Sequence, residues 1–163
     1  MQILAILSFV SGLMERVFSI TRSRPHIRIE AELVREEGGG SSNVGGTVWN
    51  VWKDIYLKLC VTNTSGPTTI KSAFISVKDG RDEVLRFSPW KVLRYVQREE
   101  PSKSPELNKT LQGTRLQTND SWGPDIVLFS AQKIVVSESP SLPDGERFIT
   151  VEVVGQRPVR VRI

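Results

Sequence analysis

The chain has 163 residues, with 39% apolar and 25% charged residues, which is ordinary for a folded domain and excludes wholesale disorder. Its formal net charge of +4 permits attraction to anionic surfaces but is modest for a dedicated nucleic-acid-binding protein. Cys60 is the single cysteine, so an intramolecular disulfide is excluded and cysteine usage does not indicate an oxidising compartment.

Residues 1–24 are predicted to form one hydrophobic or amphipathic helix. Apolar side chains recur there at i, i+3 and i+4 spacing and give the helix a wide apolar face: Ile3, Ile6, Leu7, Val10, Leu13, Met14, Val17 and Phe18. The uncharged run ends at Glu15 and Arg16, which makes it shorter than the roughly 20 residues of a transmembrane helix. Pro25 is predicted to end the helix.

Three interpretations of this helix stay open. It lies in a membrane interface, spans the bilayer with Glu15 and Arg16 near one end, or packs against protein, including further copies of the chain. A signal or export segment is a further alternative, although no small-x-small cleavage site follows the apolar run. Arg22, Arg24 and Arg28 come next, and by the positive-inside bias they place the following domain on the cytoplasmic side. We therefore expect membrane association with a cytoplasmic domain, or else a cytoplasmic protein.

Residues 25–163 are predicted to form an antiparallel β-domain, because apolar and polar residues alternate there. The clearest strand directs four side chains inward, namely Ile55, Leu57, Leu59 and Val61. Further strands are predicted at 27–33, 70–77, 84–87, 111–116, 121–129, 133–136, 148–153 and 159–163. Residues 91–100 fit either a helical turn or an edge strand, and the glycine- and serine-rich stretch 36–46 is expected to be a mobile loop. This spacing favours a β-sandwich of about seven to nine strands.

Part of the pattern resembles a known type of domain. The run from Ile55 to Asn63, its Ser-Gly-Pro turn at 65–67, the strand at 70–77 and the turn at Asp79-Gly80 resemble paired strands of immunoglobulin-like or fibronectin type III-like domains. With the N-terminal helix, the layout is similar to small bacterial proteins that attach such a domain to a membrane segment. The resemblance implies an immunoglobulin-like β-sandwich, and it differs from antibody domains in lacking paired cysteines.

No motif in the sequence predicts catalysis. His26 is the only histidine, and no His/Cys cluster or orienting acid accompanies it. A Gly-x-Ser-x-Gly elbow and a phosphate-binding glycine loop are both absent from the sequence. Asp79, Asp82 and Glu83 offer oxygen ligands for Ca²⁺, but Arg81 interrupts them and a solvated hairpin tip is the preferred interpretation. We expect no enzyme, no metal site and no cofactor.

Two sets of residues are candidates for contact with partners. Trp49 and Trp52 precede the clearest strand and would form a protein-binding anchor if exposed, although tryptophans also close the ends of sandwiches as ordinary core. The second set would contact an anionic lipid or nucleic-acid surface, and it consists of Arg22, Arg24, Arg28, Arg160 and Arg162. The alternative interpretation is that alternating charge on an outward strand face contributes only to solubility.

These patterns favour a non-enzymatic protein-interaction module tethered to a membrane or an assembly by its N-terminal helix. One alternative is a soluble, oligomeric structural or docking subunit of a larger complex of the phage-like or defence type. The other is a weak nucleic-acid binder that uses the basic strand faces. A protein partner or self-association is expected, and no small-molecule substrate is inferred. Asn-x-Ser/Thr triplets at Asn63, Asn108 and Asn119 fall in predicted turns, where a glycan would fit.

Overall fold

The computed structural model describes residues 26–42, 48–136 and 141–163, and it confirms a mainly β, antiparallel domain. The predicted helix at 1–24 lies outside the described residues. Within them, the one helical element is a 3₁₀ turn at Pro101–Lys103. The strands are β1 (Ile27–Ser42), β2 (Trp49–Asn63), β3 (Thr68–Asp79), β4 (Asp82–Leu93), β5 (Arg115–Leu116), β6 (Ser121–Val135), β7 (Glu146–Val153) and β8 (Val159–Arg162).

The strands form one curled sheet, in the order β1-β2-β6-β4-β3-β7-β8, with β5 beside β3. The curl depends on β4, which changes partner along its length. Its first half pairs with β3 as far as Phe87, and its second half pairs with β6 from Ser88 onward. This change of partner brings the two ends of the sheet together, so that β1 contacts β8 and Glu36 in β1 pairs with Arg147 in β7.

The core lies on the inner side of the curl, and β2 contributes several of its fully buried side chains. The four predicted inward side chains, Ile55, Leu57, Leu59 and Val61, are all 0% exposed, which confirms that prediction. They belong to one apolar cluster that also takes in Phe129 of β6 and buried residues of β3 and β7. Both halves of the sheet therefore share a single core.

A second, smaller apolar cluster covers the outer face of the same half of the sheet. It contains Tyr56, Leu93, Ile126 and Leu128, with Tyr95 packed against them. The Lys58 ammonium lies 4.2 Å from the centroid of the Tyr95 ring. Burial, and next the nearby Glu37 carboxylate, raise the pKa of the Tyr56 phenol above its ordinary value. The middle of β2 is consequently buried on both faces, which the predicted inside-outside alternation did not anticipate.

Asn63 is a fully buried polar residue that fastens the end of β2. Its side-chain amide donates to the carbonyl oxygens of Gly66 at 2.6 Å, Gln117 at 3.1 Å and Leu116 at 3.3 Å. These bonds join the turn after β2 to β5 and satisfy the buried amide. The expectation that a glycan would fit at Asn63 is therefore wrong, whereas Asn108 and Asn119 are exposed.

The predicted loop at 36–46 is wrong for residues 36–42, which continue β1 in register with residues 49–55 of β2. Residues 43–47 lie outside the described residues. The predicted strand at 111–116 shortens to Arg115–Leu116, and residues 91–93 complete β4. The predicted break near Ser130 is also wrong, because β6 runs through it in continuous pairing with β2. In each long strand, pairing with a neighbour outweighs the local composition.

The buried face of β2 supports a direct comparison of two adjacent residues. Leu57→Ala should lower the free energy of unfolding by about 2–5 kcal/mol, because it removes burial and leaves a cavity in the core. Lys58→Ala should cost about 1 kcal/mol or less, since it removes a partly exposed contact with Tyr95 and a surface ion pair with Glu32 at 3.4 Å. Urea unfolding of both variants measures the difference, and equal midpoints would contradict the register of β2.

Candidate functional site

Three strand ends form a ribbon, here called the arm, which consists of residues 38–42 of β1, 49–53 of β2 and 131–135 of β6. Gly40 lies opposite Val51, which lies opposite Lys133, so the three segments are in register. β4 pairs with β6 only as far as Ser130. Within the described residues, no strand pairs with residues 131–135 on the side away from β2. The arm therefore ends the sheet with backbone groups that lack a strand partner there.

Large apolar side chains are exposed on this arm. Trp52 is 37% exposed and Ile134 is 71% exposed, and Val136, directly after β6, is 76% exposed. Trp52 lies opposite Gln132 on the neighbouring strand, and Ile134 is two residues further along. Since side chains two apart share a face, Trp52 and Ile134 lie together on the outer face of the arm. Exposed apolar side chains grouped in this way are typical of interaction surfaces.

The two candidate tryptophans both lie on the arm, but on opposite faces. Trp49 is half-buried, and the three-residue spacing directs it away from the face of Trp52. The Trp52 indole packs over Gly39 so closely that a Cβ at position 39 would lie 3.0 Å from the ring. The absence of a side chain at Gly39 thus leaves room for the Trp52 indole to lie over β1.

Two grooves adjoin the arm. One, of about 480 Å³, lies along residues 38–40 of β1, here called the glycine edge. It is lined by Gly38, Gly39, Gly40, Trp49, Val51, Trp52, Lys53, Ser141 and Leu142. The other, of about 320 Å³, lies at β6 and is lined by Val48, Asn50, Gln132, Lys133 and Ile134. The second groove offers apolar surface, two amides and one ammonium group, and no carboxylate lines it.

Ion pairs hold the base of the arm. The Glu36 carboxylate binds the Lys53 ammonium at 3.0 Å and also the Arg147 guanidinium, while Arg147 reaches Asp144 at 3.2 Å. These charges neutralise one another. Lys133 differs, because none of the carboxylates in the described ranges forms an ion pair with it. The arm thus presents the exposed Lys133 cation on one face and the exposed Ile134 side chain on the other.

The candidate basic residues do not form one bare cationic patch in the described structure. Arg28 pairs with Glu30 at 3.0 Å, and Arg162 pairs with Glu146 at 3.1 Å. The Arg160 guanidinium lies 5.9 Å from the Phe148 ring and donates to the Thr150 hydroxyl at 3.4 Å. Arg22 and Arg24 lie outside the described residues, as do the apolar residues of the predicted helix.

The described residues include no group of three or more His, Cys, Asp or Glu side chains that could hold a metal ion. His26 is exposed at the start of β1, and its carbonyl oxygen accepts a bond from the Thr64 amide at 2.8 Å. Cys60 is half-buried, with its sulfur 3.9 Å from the Thr62 hydroxyl. Across residues 26–42, 48–136 and 141–163, no helix is long and apolar enough to cross a membrane.

Three features of the arm and its surroundings were missed by the sequence analysis. Lys133 and Ile134 were assigned to a separate short strand, and a continuous β6 would have placed Ile134 on the face of Leu128. Trp90, which is 64% exposed beside the change of partner in β4, was not singled out. Leu142 reaches the glycine edge from a non-strand segment, which no local pattern indicates.

No protein-family model matches this sequence, and a search of curated proteins finds no significant match. Function is therefore inferred from the arm and its surroundings.

The packing of Trp52 on glycine gives a matched pair of substitutions. Gly39→Ala should displace the indole and lower the free energy of unfolding by about 0.5–1.5 kcal/mol, through strain in the displaced side chain. Gly40→Ala should be neutral or stabilising by up to about 1 kcal/mol, since a Cβ there meets its nearest neighbour at an ordinary 3.6 Å. Tryptophan fluorescence with urea unfolding compares the two variants. Equal effects from both would contradict the described position of Trp52.

Proposed function

We propose that the chain is a non-enzymatic protein-interaction module that binds its partner through the arm and is tethered to a membrane or an assembly by residues 1–24. The observation that carries the proposal is the coincidence, at one end of the sheet, of exposed Trp52 and Ile134, two grooves, and strand edges that lack a strand partner among the described residues. Exposed apolar anchors beside free strand edges suit contact with protein.

The arm lies at the opposite end of β1 from residues 1–24, and this position supports a tether and a binding surface in the same protein. The described chain enters β1 at His26, whereas the arm contains the other end of the same strand. β1 has 16 residues, and at about 3.3 Å per residue it spans roughly 50 Å. A tether formed by residues 1–24 would hold the domain at the opposite end of β1 and leave the arm accessible. Arg22, Arg24 and Arg28, which follow the apolar run, favour the cytoplasmic side of a membrane.

An immunoglobulin-like β-sandwich is our proposal for the finer description of the fold. Support comes from the single core shared by both halves of the sheet and from the passage of β4 between those halves. Interaction through strand edges and end surfaces is compatible with that architecture, but the architecture alone does not specify a function.

A soluble, oligomeric docking subunit is the second candidate, because the unpaired edges of the arm would serve assembly with protein equally well. The nucleic-acid alternative has less support. Glu30 and Glu146 lie within ion-pair distance of Arg28 and Arg162, so carboxylates would oppose a phosphate backbone at both places.

The tether is tested by liposome flotation of the full chain and of a variant that begins at Arg24. We expect the full chain to float with vesicles containing phosphatidylserine and the shortened variant to remain at the bottom of the gradient, since it lacks the apolar face. Light scattering of both proteins without detergent reports self-association. If both remain with the soluble fraction as monomers, residues 1–24 are neither a membrane tether nor a self-association element.

The arm is tested by photo-crosslinking in cells that express the protein naturally. A benzophenone amino acid at position 134 should give a discrete crosslinked product that disappears in the Trp52→Ala background. The same probe at position 81, exposed at the β3–β4 turn, is the matched control and should give no such product. Identical products from both positions, or none from position 134, would contradict binding at the arm.

A further inference from the structure

The edge of β6 that lacks a strand partner in the described structure indicates which kind of protein segment would bind the arm. We propose that residues 131–135 accept an extended, acidic segment of a partner protein as an additional β-strand. This inference rests on the proposed function, because it assigns the arm's binding mode and the chemistry of its ligand.

The geometry of β6 supplies the main-chain part of the interaction. Residues 131–135 pair with β2 on one side. On the other side, β4 pairs with β6 only as far as Ser130. In an antiparallel pair, alternate residues direct their N–H and C=O groups away from the existing partner. An incoming strand would satisfy those groups, which is the usual basis of strand addition to a sheet edge.

The side chains of the same segment supply selectivity. Lys133 is exposed, lines the groove at β6 and has no ion-paired carboxylate among the described residues. Ile134 is exposed on the opposite face of the strand. A strand that alternates apolar and acidic residues would place a carboxylate near Lys133 and an apolar side chain near Ile134.

Two other arrangements fit these residues less well. Antiparallel pairing of two copies centred on position 133 would place their ammonium groups opposite each other, and such like-charge pairs are destabilising. The glycine edge of β1 also lacks a strand partner within the described residues, but Gly38, Gly39 and Gly40 offer no side chain that would select a ligand. The charge of Lys133 therefore favours an acidic segment at β6.

The test uses a short, fluorescein-labelled peptide of alternating valine and glutamate, with a valine and lysine peptide as its counterpart. Fluorescence anisotropy should show saturable binding of the glutamate peptide to the full chain. Lys133→Glu should weaken that binding about tenfold and favour the lysine peptide instead, because the cross-strand charge is reversed. Lys71→Glu, which changes an exposed lysine on β3, is the matched control and should leave binding within about twofold.

The backbone part is tested with two N-methylated forms of the glutamate peptide, one methylated at every valine and the other at every glutamate. Only one set of amides can face β6, so one form should lose binding and the other should retain it. The proposal is overturned by no saturable binding, by equal effects of Lys133→Glu and Lys71→Glu, or by indifference to both methylations. If the peptide does not bind but crosslinking at position 134 succeeds, only this inference is overturned. If peptide binding and crosslinking both fail, the proposed function is overturned as well.

Discussion

The change of partner within β4 is the constraint on which the structure depends. By pairing first with β3 and then with β6, one strand joins both halves of the sheet and curls them around a common core. The same departure leaves the last part of β6 without a partner on one side in the described structure. Core closure and the free edge of the arm therefore have a single structural origin.

Burial along β2 also differs between the middle of the strand and the arm. In the middle of the strand, Leu57 faces the main core and Tyr56 is covered by the outer cluster, so both faces are dry. Towards the arm, Trp52 retains substantial exposure and is positioned by its contact with Gly39 rather than by the core. A segment that is buried on both faces thus supports an exposed end, an arrangement that suits a binding surface built on a regular strand.

The parts of the fold that could be predicted from the sequence are those determined by the alternation of apolar and polar residues along a single strand. The inward set around Leu57 and the last two strands, which are predicted at 148–153 and 159–163, follow directly from period-two patterning. The glycines at 38–40 were misassigned because their order comes from pairing with β2 and from an indole contributed by another strand. The role of Asn63 was also hidden, since its acceptors include Leu116 and Gln117, which are distant in sequence. Trp52 was recognisable as a candidate, whereas Lys133 became one only through the path of β4.

Amide hydrogen exchange along β6 measures directly whether the arm carries a strand edge without a partner. We expect slow exchange for residues 126–129, which are paired with β2 and β4 on both sides. For residues 131–135 we expect alternation, with slow exchange of the amides that face β2 and fast exchange of those that face away. Uniformly slow exchange across residues 131–135 in the free, monomeric protein would contradict this expectation, because the edge would then already be covered.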